Sequence, residues 1–555
     1  MPDAVFRLFG RVGSIMMEGH WQSEGLEIIK SRRRLSYGRQ PPMVCLGLLG
    51  LGLIFASGAN AVAQAPAEVY PGPTPRAECG PGSNPEVGRQ GRVSAEDAAS
   101  GRAAQGYTCN TEQLSRFGTR GGYKVERFTD RTGRECAYYD TTLLFPKDAV
   151  TAGQDLTGVY VLDMTNPRKP VRTETLVTPA MQSPHESVAL NTKRGLLIAV
   201  TSNLEAYPGF VDVYDLNQDC RHPALRASLP FVGLGHESGF APDGKTFYAA
   251  SLDLGTVTAV DLSNPSLPVT LWIRNFSRPH GMSVSDDGNR VYLADRPGLV
   301  ILDVSQIQAR TLNPQHRVVS GLTWPTLSTP QITIPVTISD RPFLIEMDEF
   351  GSGAKVGAAR IIDIADETKP FVVSNIKLEV NMPENQTSQV NDPGVGDAVG
   401  FQGYTGHYCS VPDRKEPGVV ACTFIMSGLR LFDIRDPYRP REIAYFNAPP
   451  GPAASPADRD LSNFAMSSIA FVPERSEIWY TDGNSGFYAV RVTNGVWPFG
   501  SLVPAGTNAG QGQELAATGA TNPALAIGLA VLVAGLALAA AVGWARPKRE
   551  QPTEI

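Results

Sequence analysis

The chain has 555 residues, 42% of them hydrophobic and 19% charged. That is enough apolar content for a large packed core and too much for a disordered polymer. A formal net charge of −6, with no long basic stripe, excludes a nucleic-acid footprint.

In chain order, residues 1–63 read as an N-terminal extension and signal peptide. Arg32, Arg33 and Arg34 supply a positive region, Val44 to Ala56 an apolar core, and Ala61-Val62-Ala63 a small-residue cleavage pattern, with cleavage expected after Ala63. Ser31-Arg32-Arg33-Arg34-Leu35 also resembles a twin-arginine signal, although Ser36 and Tyr37 depart from its usual residues. General secretory and twin-arginine export both stay open, and so does the start codon, with Met16 or Met17 as alternatives. Residues 64–122, rich in Gly, Pro, Ala and Ser, are expected to be a low-order segment pinned to the rest by Cys79 and Cys109.

Residues 123–499 carry one repeated phrase. Its copies are Val159–Asp163, Val211–Asp215, Val257–Asp261, Leu299–Asp303, Ala359–Asp363 and Leu429–Asp433, with a degenerate seventh at Phe487–Arg491. An apolar, β-branched run of this length is a strand buried on both faces. The Asp ends it by accepting N–H groups of the next turn. Seven residues later stands Pro170, Pro268, Pro370 or Pro440, one residue later still Pro223, and after the last copy Pro498. A residue that cannot donate to a ladder suits the start of an exposed outer strand. Two further strand signals precede each copy, as in Ser238-Gly239-Phe240, the turn Pro242-Asp243-Gly244, then Thr246 to Ser251. Four antiparallel strands per unit and seven units predict an all-β, seven-bladed β-propeller. The phrase resembles the LVIVD-repeat family of propellers. The resemblance implies a fold and no established chemistry. Two insertions, Asn313 to Thr329 and Val380 to Phe401, read as additions to the repeat, the second as a long surface loop.

Residues 500–514 form a Gly/Ala/Pro-rich linker. In residues 515–555, Ala524 to Trp544 is free of charge and long enough for a transmembrane helix, and Arg546, Lys548 and Arg549 put the tail inside. Leu515, Ala516, Ala517, Thr518 and Gly519 just before it resemble a sorting signal of the Leu-Ala-x-Thr-Gly type read by class E sortases. The resemblance implies a sortase as processing partner, cleavage between Thr518 and Gly519, and linkage of the Thr518 carboxyl to the cell wall. A permanent single-pass membrane anchor is the alternative. Either leaves the propeller outside the cell.

Outside the signal stand six cysteines, Cys79, Cys109, Cys136, Cys220, Cys409 and Cys422, an even number that favours disulfides in an exported chain. Cys409 and Cys422 fall on adjacent strands of one hairpin and are the expected pair. Four histidines share one register. His185, His236 and His280 lie seven residues before Thr192, Asp243 and Asp287, and His407 lies six before Asp413. They therefore start the innermost strands, which converge on the channel mouth. Glu186 and Glu237 follow two of them. Asp253, Asp295, Asp348 or Glu349, and Asp482 end the second strands, which return to the same mouth. Imidazoles and carboxylates around one axis suit a divalent transition metal, so His185, His236, His280, His407, Glu186, Glu237, Asp253 and Asp295 form the candidate metal set. The competing reading is structural: a repeat copies its hydrogen-bonding residues too. The leading expectation is a binding or scaffold module at the cell envelope, for an unnamed envelope protein or small ligand. The alternative is a metal-dependent oxidase or hydrolase at the channel mouth.

Overall fold

The computed structural model describes residues 72–141, 158–202, 209–231, 233–324, 329–349, 357–395, 403–452 and 461–499, with the backbone of Ala63–Gln64. The export signal, the sorting motif and the apolar span at 524–544 lie outside the described residues. Among the described residues no helix is long and apolar enough to cross a membrane.

Seven antiparallel sheets follow one another as blades. Blade 1 is Val125–Thr129, Glu135–Asp140, Val159–Asp163 and Val171–Leu176. Blade 3 has Ser238–Phe240 and Thr246–Ser251 as its inner strands, the bounds read from sequence, then Thr256–Asp261 and Val269–Asn275. The repeated phrase is the third strand of every blade, and Pro170, Pro268, Pro370 and Pro440 each stand just before an outer strand.

The continuous apolar runs have a simple cause. Alternate residues of a strand point to opposite faces, and each face packs on a different neighbouring blade. In Thr246–Ser251, Phe247 and Ala249 join the cluster shared with blade 2, while Tyr248 and Ala250 join the one shared with blade 4. Seven such clusters lie between successive blades, including one that joins Trp479 and Phe487 of blade 7 to Ala137 and Leu162 of blade 1.

Blade 7 departs from the expectation. Its three inner strands are Ala470–Val472, Glu477–Asp482 and Gly486–Val492, and its outer strand is Thr111–Phe117, paired from Thr111↔Val492 to Phe117↔Phe487. Pro498 therefore starts no outer strand, and the segment expected to be of low order closes the ring. Its Glu112, Gln113 and Arg116 face solvent while Thr111, Leu114 and Ser115 are buried, so its composition hides a strand. Tyr107–Cys109 adds a fifth strand to blade 6. Arg430, fully buried in blade 6, is held by Glu86 from this segment and by Glu442 at 3.0 Å.

Both insertions also differ from the reading. Arg317–Thr323 is the outer strand of blade 4. The second insertion holds two short 3-10 helices, Glu379–Asn381 and Pro383–Gln389, under the N-terminal segment, with Asp392 accepting from Arg92 at 2.8 Å. The six cysteines among the described residues are all bridged: Cys409–Cys422 as expected, Cys136–Cys220 across a separation of 84 residues, and Cys79–Cys109 within the N-terminal segment.

Removing the closing strand should open the seam between blades 7 and 1. A chain begun at Gly118 loses the pairing of Gly486–Val492 and the burial of Leu114, a cost of about 5 kcal/mol. Urea unfolding should show this deficit relative to a chain begun at Asn110, which keeps the closing strand and equally lacks the Glu86 partner of Arg430. Equal midpoints would contradict the assigned closure.

Candidate functional site

The inner strands deliver four imidazoles to one mouth of the channel. His280 and His407 lie on the inner strands Pro279–Val284 and Gly406–Ser410, while His185 and His236 precede the inner strands of blades 2 and 3. The rings of His185, His236 and His280 run in sequence, with centroids 4.3 and 4.4 Å apart, and Tyr123 stacks on His185 at 4.5 Å. His185 adopts a left-handed backbone, φ 47°, which costs a non-glycine residue about 1 kcal/mol.

Two imidazoles are oriented by backbone. The Nδ1 of His280 donates to the Pro330 carbonyl at 2.9 Å, and that of His407 to the Met466 carbonyl at 2.6 Å. Each Nε2 is thereby left facing the axis. There the Nε2 atoms of His236 and His280 are 2.7 Å apart. His280 Nε2 is 3.5 Å from Glu349 Oε2, and His407 Nε2 is 3.4 Å from Glu349 Oε1 and 3.2 Å from Glu186 Oε1. Glu186 Oε2 closes the circle at 3.6 Å from His236 Nε2. Five side chains from five blades thus form a ring of successive contacts, with neighbouring donor atoms 2.7–3.6 Å apart. His185 Nδ1 lies on the rim of this group, 3.6 Å from Glu186 Oε1. His185, Glu186 and His236 have ligand atoms within 4.8 Å of one another.

Electrostatics follow from burial. Burial lowers His185 and His280, the latter to about 4, and lowers His236 well below its ordinary value. Burial also lowers His407, but Glu186 and Glu349 outweigh it and push the imidazole up to about 10. Burial raises Glu349 to about 7, while the surrounding imidazoles hold Glu186 well below the carboxylate range against its own burial.

The remaining candidates divide. Glu237 is buried one layer deeper, accepting from Lys124 Nζ at 2.9 Å and from the Tyr408 hydroxyl, whose oxygen also lies 3.0 Å from Glu186 Oε2. Asp253 is exposed and reaches His185 only electrostatically. Asp295 does not join the group. Its carboxylate accepts the N–H groups of Ser277 and Arg278 where the chain enters blade 4. Asp140 does the same for Tyr123 and Lys124, and Asp482 for Phe464. A short carboxylate at the end of a second strand is therefore a repeated blade clasp, and the structural reading holds for these positions. Asp348 turns away to Arg360, at 2.6 Å, leaving Glu349 as the axial carboxylate of its pair.

Sequence reasoning missed Tyr123, Lys124, Gln331 and Tyr408. Gln331 donates to Glu186. Tyr408 follows His407 as Glu186 and Glu237 follow their histidines, so the register itself held that signal. Tyr123 and Lys124 precede the first repeat and arrive through Gly121-Gly122. A Cβ on Gly122 would stand 1.9 Å from Asp140 Oδ2, and one on Gly121 2.3 Å from Thr481 Cβ, so only glycine admits this passage.

Comparison with known proteins identifies one repeat and no activity. The LVIVD repeat family model matches residues 280–311, within blade 4. No curated protein matches. Similar solved structures include a protein from Lactobacillus plantarum, 11% identical over 63% of this chain and 89% of that one, TM-score 0.44. Another is the periplasmic gluconolactonase of Pseudomonas aeruginosa, 14% identical over 60% and 92%, TM-score 0.40. A third is the Cps50 β-propeller domain of Myceliophthora thermophila, 10% identical over 68% and 99%, TM-score 0.41. The chain carries an LVIVD repeat within a seven-bladed β-propeller.

Proposed function

We propose that the protein holds one divalent transition-metal ion at the channel mouth, through His236, His280 and His407 with Glu186 and Glu349, and acts there on a small molecule. The observation that carries this reading is the oriented imidazole pair. Backbone carbonyls occupy the Nδ1 atoms of His280 and His407 and turn each Nε2 toward the ring that His236, Glu186 and Glu349 complete, where an ion would displace the proton that His407 carries in the metal-free fold. A carbonyl that fixes the tautomer is the usual outer partner of a metal-bound histidine. Mixed imidazole and carboxylate donors suit zinc, copper or iron. When bound, the ion would polarise an oxygen of the substrate or of water. The partly exposed His185 and His236 line the approach from solvent.

Metal analysis of untagged protein should find about one equivalent per chain. Replacing His236 and His280 together by Ala should abolish retention without loss of β-structure by circular dichroism. Retention should also weaken toward low pH, as protons compete with the ion for the imidazole nitrogens. Metal content unchanged in the double variant, or absent throughout titration with zinc and copper, would remove this reading and leave the envelope-binding alternative.

The metal-free protein carries its own signature. An unfolded imidazole titrates near 6.5, whereas His407 in the fold is raised to about 10. Its contribution is therefore complete below the unfolded value and lost as pH rises through about 10. Chelator-treated wild type should lose a few kcal/mol between about pH 7 and 10.5, and His407→Gln should lack that part of the decline. Parallel urea-unfolding profiles for the two proteins would contradict the assignment.

The same proposal places the propeller at the cell surface, from the signal-like residues 44–63 and the sorting-like motif Leu515, Ala516, Thr518 and Gly519. Thr518→Ala should convert wall-linked protein to detergent-extractable protein. Quantitative extraction of the wild type by detergent would favour a membrane anchor.

A further inference from the structure

The inner strands of blades 4, 5 and 6 begin alike. Each opens with one backbone pair, Pro279↔Asp295, Pro330↔Asp348 or Gly406↔Phe424, after which the register shifts. The residue that follows that first pair is His280, Gln331 or His407. A bulge of this kind re-aims a side chain. Here it sends His280 and His407 to the ring of donors at the mouth, and Gln331 to Glu186, a member of that ring. Gln331 thus stands in the register of an imidazole.

Its amide has one task among the described residues. Glu186 Oε1 faces His407 Nε2 at 3.2 Å, while Oε2 accepts from Gln331 Nε2. The Tyr408 hydroxyl lies 3.0 Å from the same Oε2, but it has one proton and Glu237 contests it. Gln331 is therefore the donor committed to Glu186. A carboxylate without such a donor is free to turn, or to meet an ion through both oxygens. A donor fixed on one oxygen sets its plane and leaves the other oxygen for the ion. Gln331 is fully buried, and its own carbonyl oxygen Oε1 meets no hydrogen-bond partner among the described residues. An unmet buried acceptor is destabilising. An apolar side chain of the same length would avoid that loss, but it would not hold Glu186.

We propose that Gln331 is a positioning residue for the metal: from the register of an imidazole it fixes Glu186 Oε2 and so presents Oε1 to the ion. This rests on the metal reading and adds to it a residue that touches no ion and acts through Glu186 alone.

Zinc titration of the chelator-treated, full folded chain, read by competition with a chromophoric chelator, tests this. Gln331→Met keeps the length of the side chain and removes the donor, and it should weaken zinc about tenfold to a hundredfold. Gln331→Leu should do the same and replaces it if Gln331→Met does not fold by circular dichroism. Glu186→Ala keeps the three imidazoles and Glu349. In that background Gln331→Met should cost nothing further, because its effect passes through the missing carboxylate. In copper(II)-loaded protein the released carboxylate should shift the EPR hyperfine coupling of Gln331→Met from that of wild type. Unchanged zinc affinity or an unchanged EPR spectrum in the folded variant, or an equal loss in the Glu186→Ala background, would each overturn the proposal. A wild type that takes up no zinc is a different failure, which removes the metal reading and this inference with it.

Discussion

The second and third strands of the blades pack through both faces on neighbouring blades, so the ring has to close. A blade with one bare face would expose a full apolar surface, as Phe247 and Tyr248 on opposite sides of one strand show. Closure is achieved by Thr111–Phe117, which completes blade 7 before the chain runs inward to begin blade 1. That inward run carries Tyr123 and Lys124 to the axis. The element that seals the ring therefore also equips the channel, and Gly121-Gly122 is the narrow passage that joins the two roles.

The channel collects more buried charge than an apolar core tolerates without pairing. Lys124, Glu237, Glu186 and His407 are all buried, and each has an opposite charge or hydrogen-bond partner within reach. Desolvating such groups costs several kcal/mol apiece, and well-packed hydrophobic residues would stabilise at least as well. Their concentration at one end of the axis, with backbone carbonyls directing two of the imidazoles, is what the proposed metal site draws on. The clasp aspartates give the contrast. Asp140, Asp295 and Asp482 each accept backbone N–H groups and hold the start of their blades, Asp482 with the Ser485 hydroxyl as well.

Much of this was legible in the chain itself. The third strands, several inner strands and the Cys409–Cys422 bridge follow from short-range pattern, because the repeat imposes one register on each blade. The histidines were legible for the same reason. The closing strand was not. It shows solvent three polar side chains, it sits in a Gly/Pro-rich stretch, and its partner lies at the far end of the sequence. The carboxylates were ambiguous in type: an Asp that ends a strand serves equally as a cap or a ligand, and only the fold assigns Asp295 to the backbone and Glu349 to the axis. Tyr123 and Lys124 stand before the first repeat, where no periodicity points to them.

The seam has a consequence for how the protein is made. Its pairing joins residues roughly 380 positions apart, the kind of contact that forms late because a long loop must first be closed. Blades 1 to 6 can each hydrogen-bond internally as they emerge, but Thr111–Phe117 waits for the last blade to arrive. Until then one end of the ring offers an unpaired edge at Gly486–Val492 and the other an unattached strand. A second copy of the chain could supply that strand in trans, so the interval before closure is when exchange between chains competes with correct assembly. The buried Arg430–Glu86 pair and the pairing of Tyr107–Cys109 with blade 6 hold the waiting strand near the blade beside its destination.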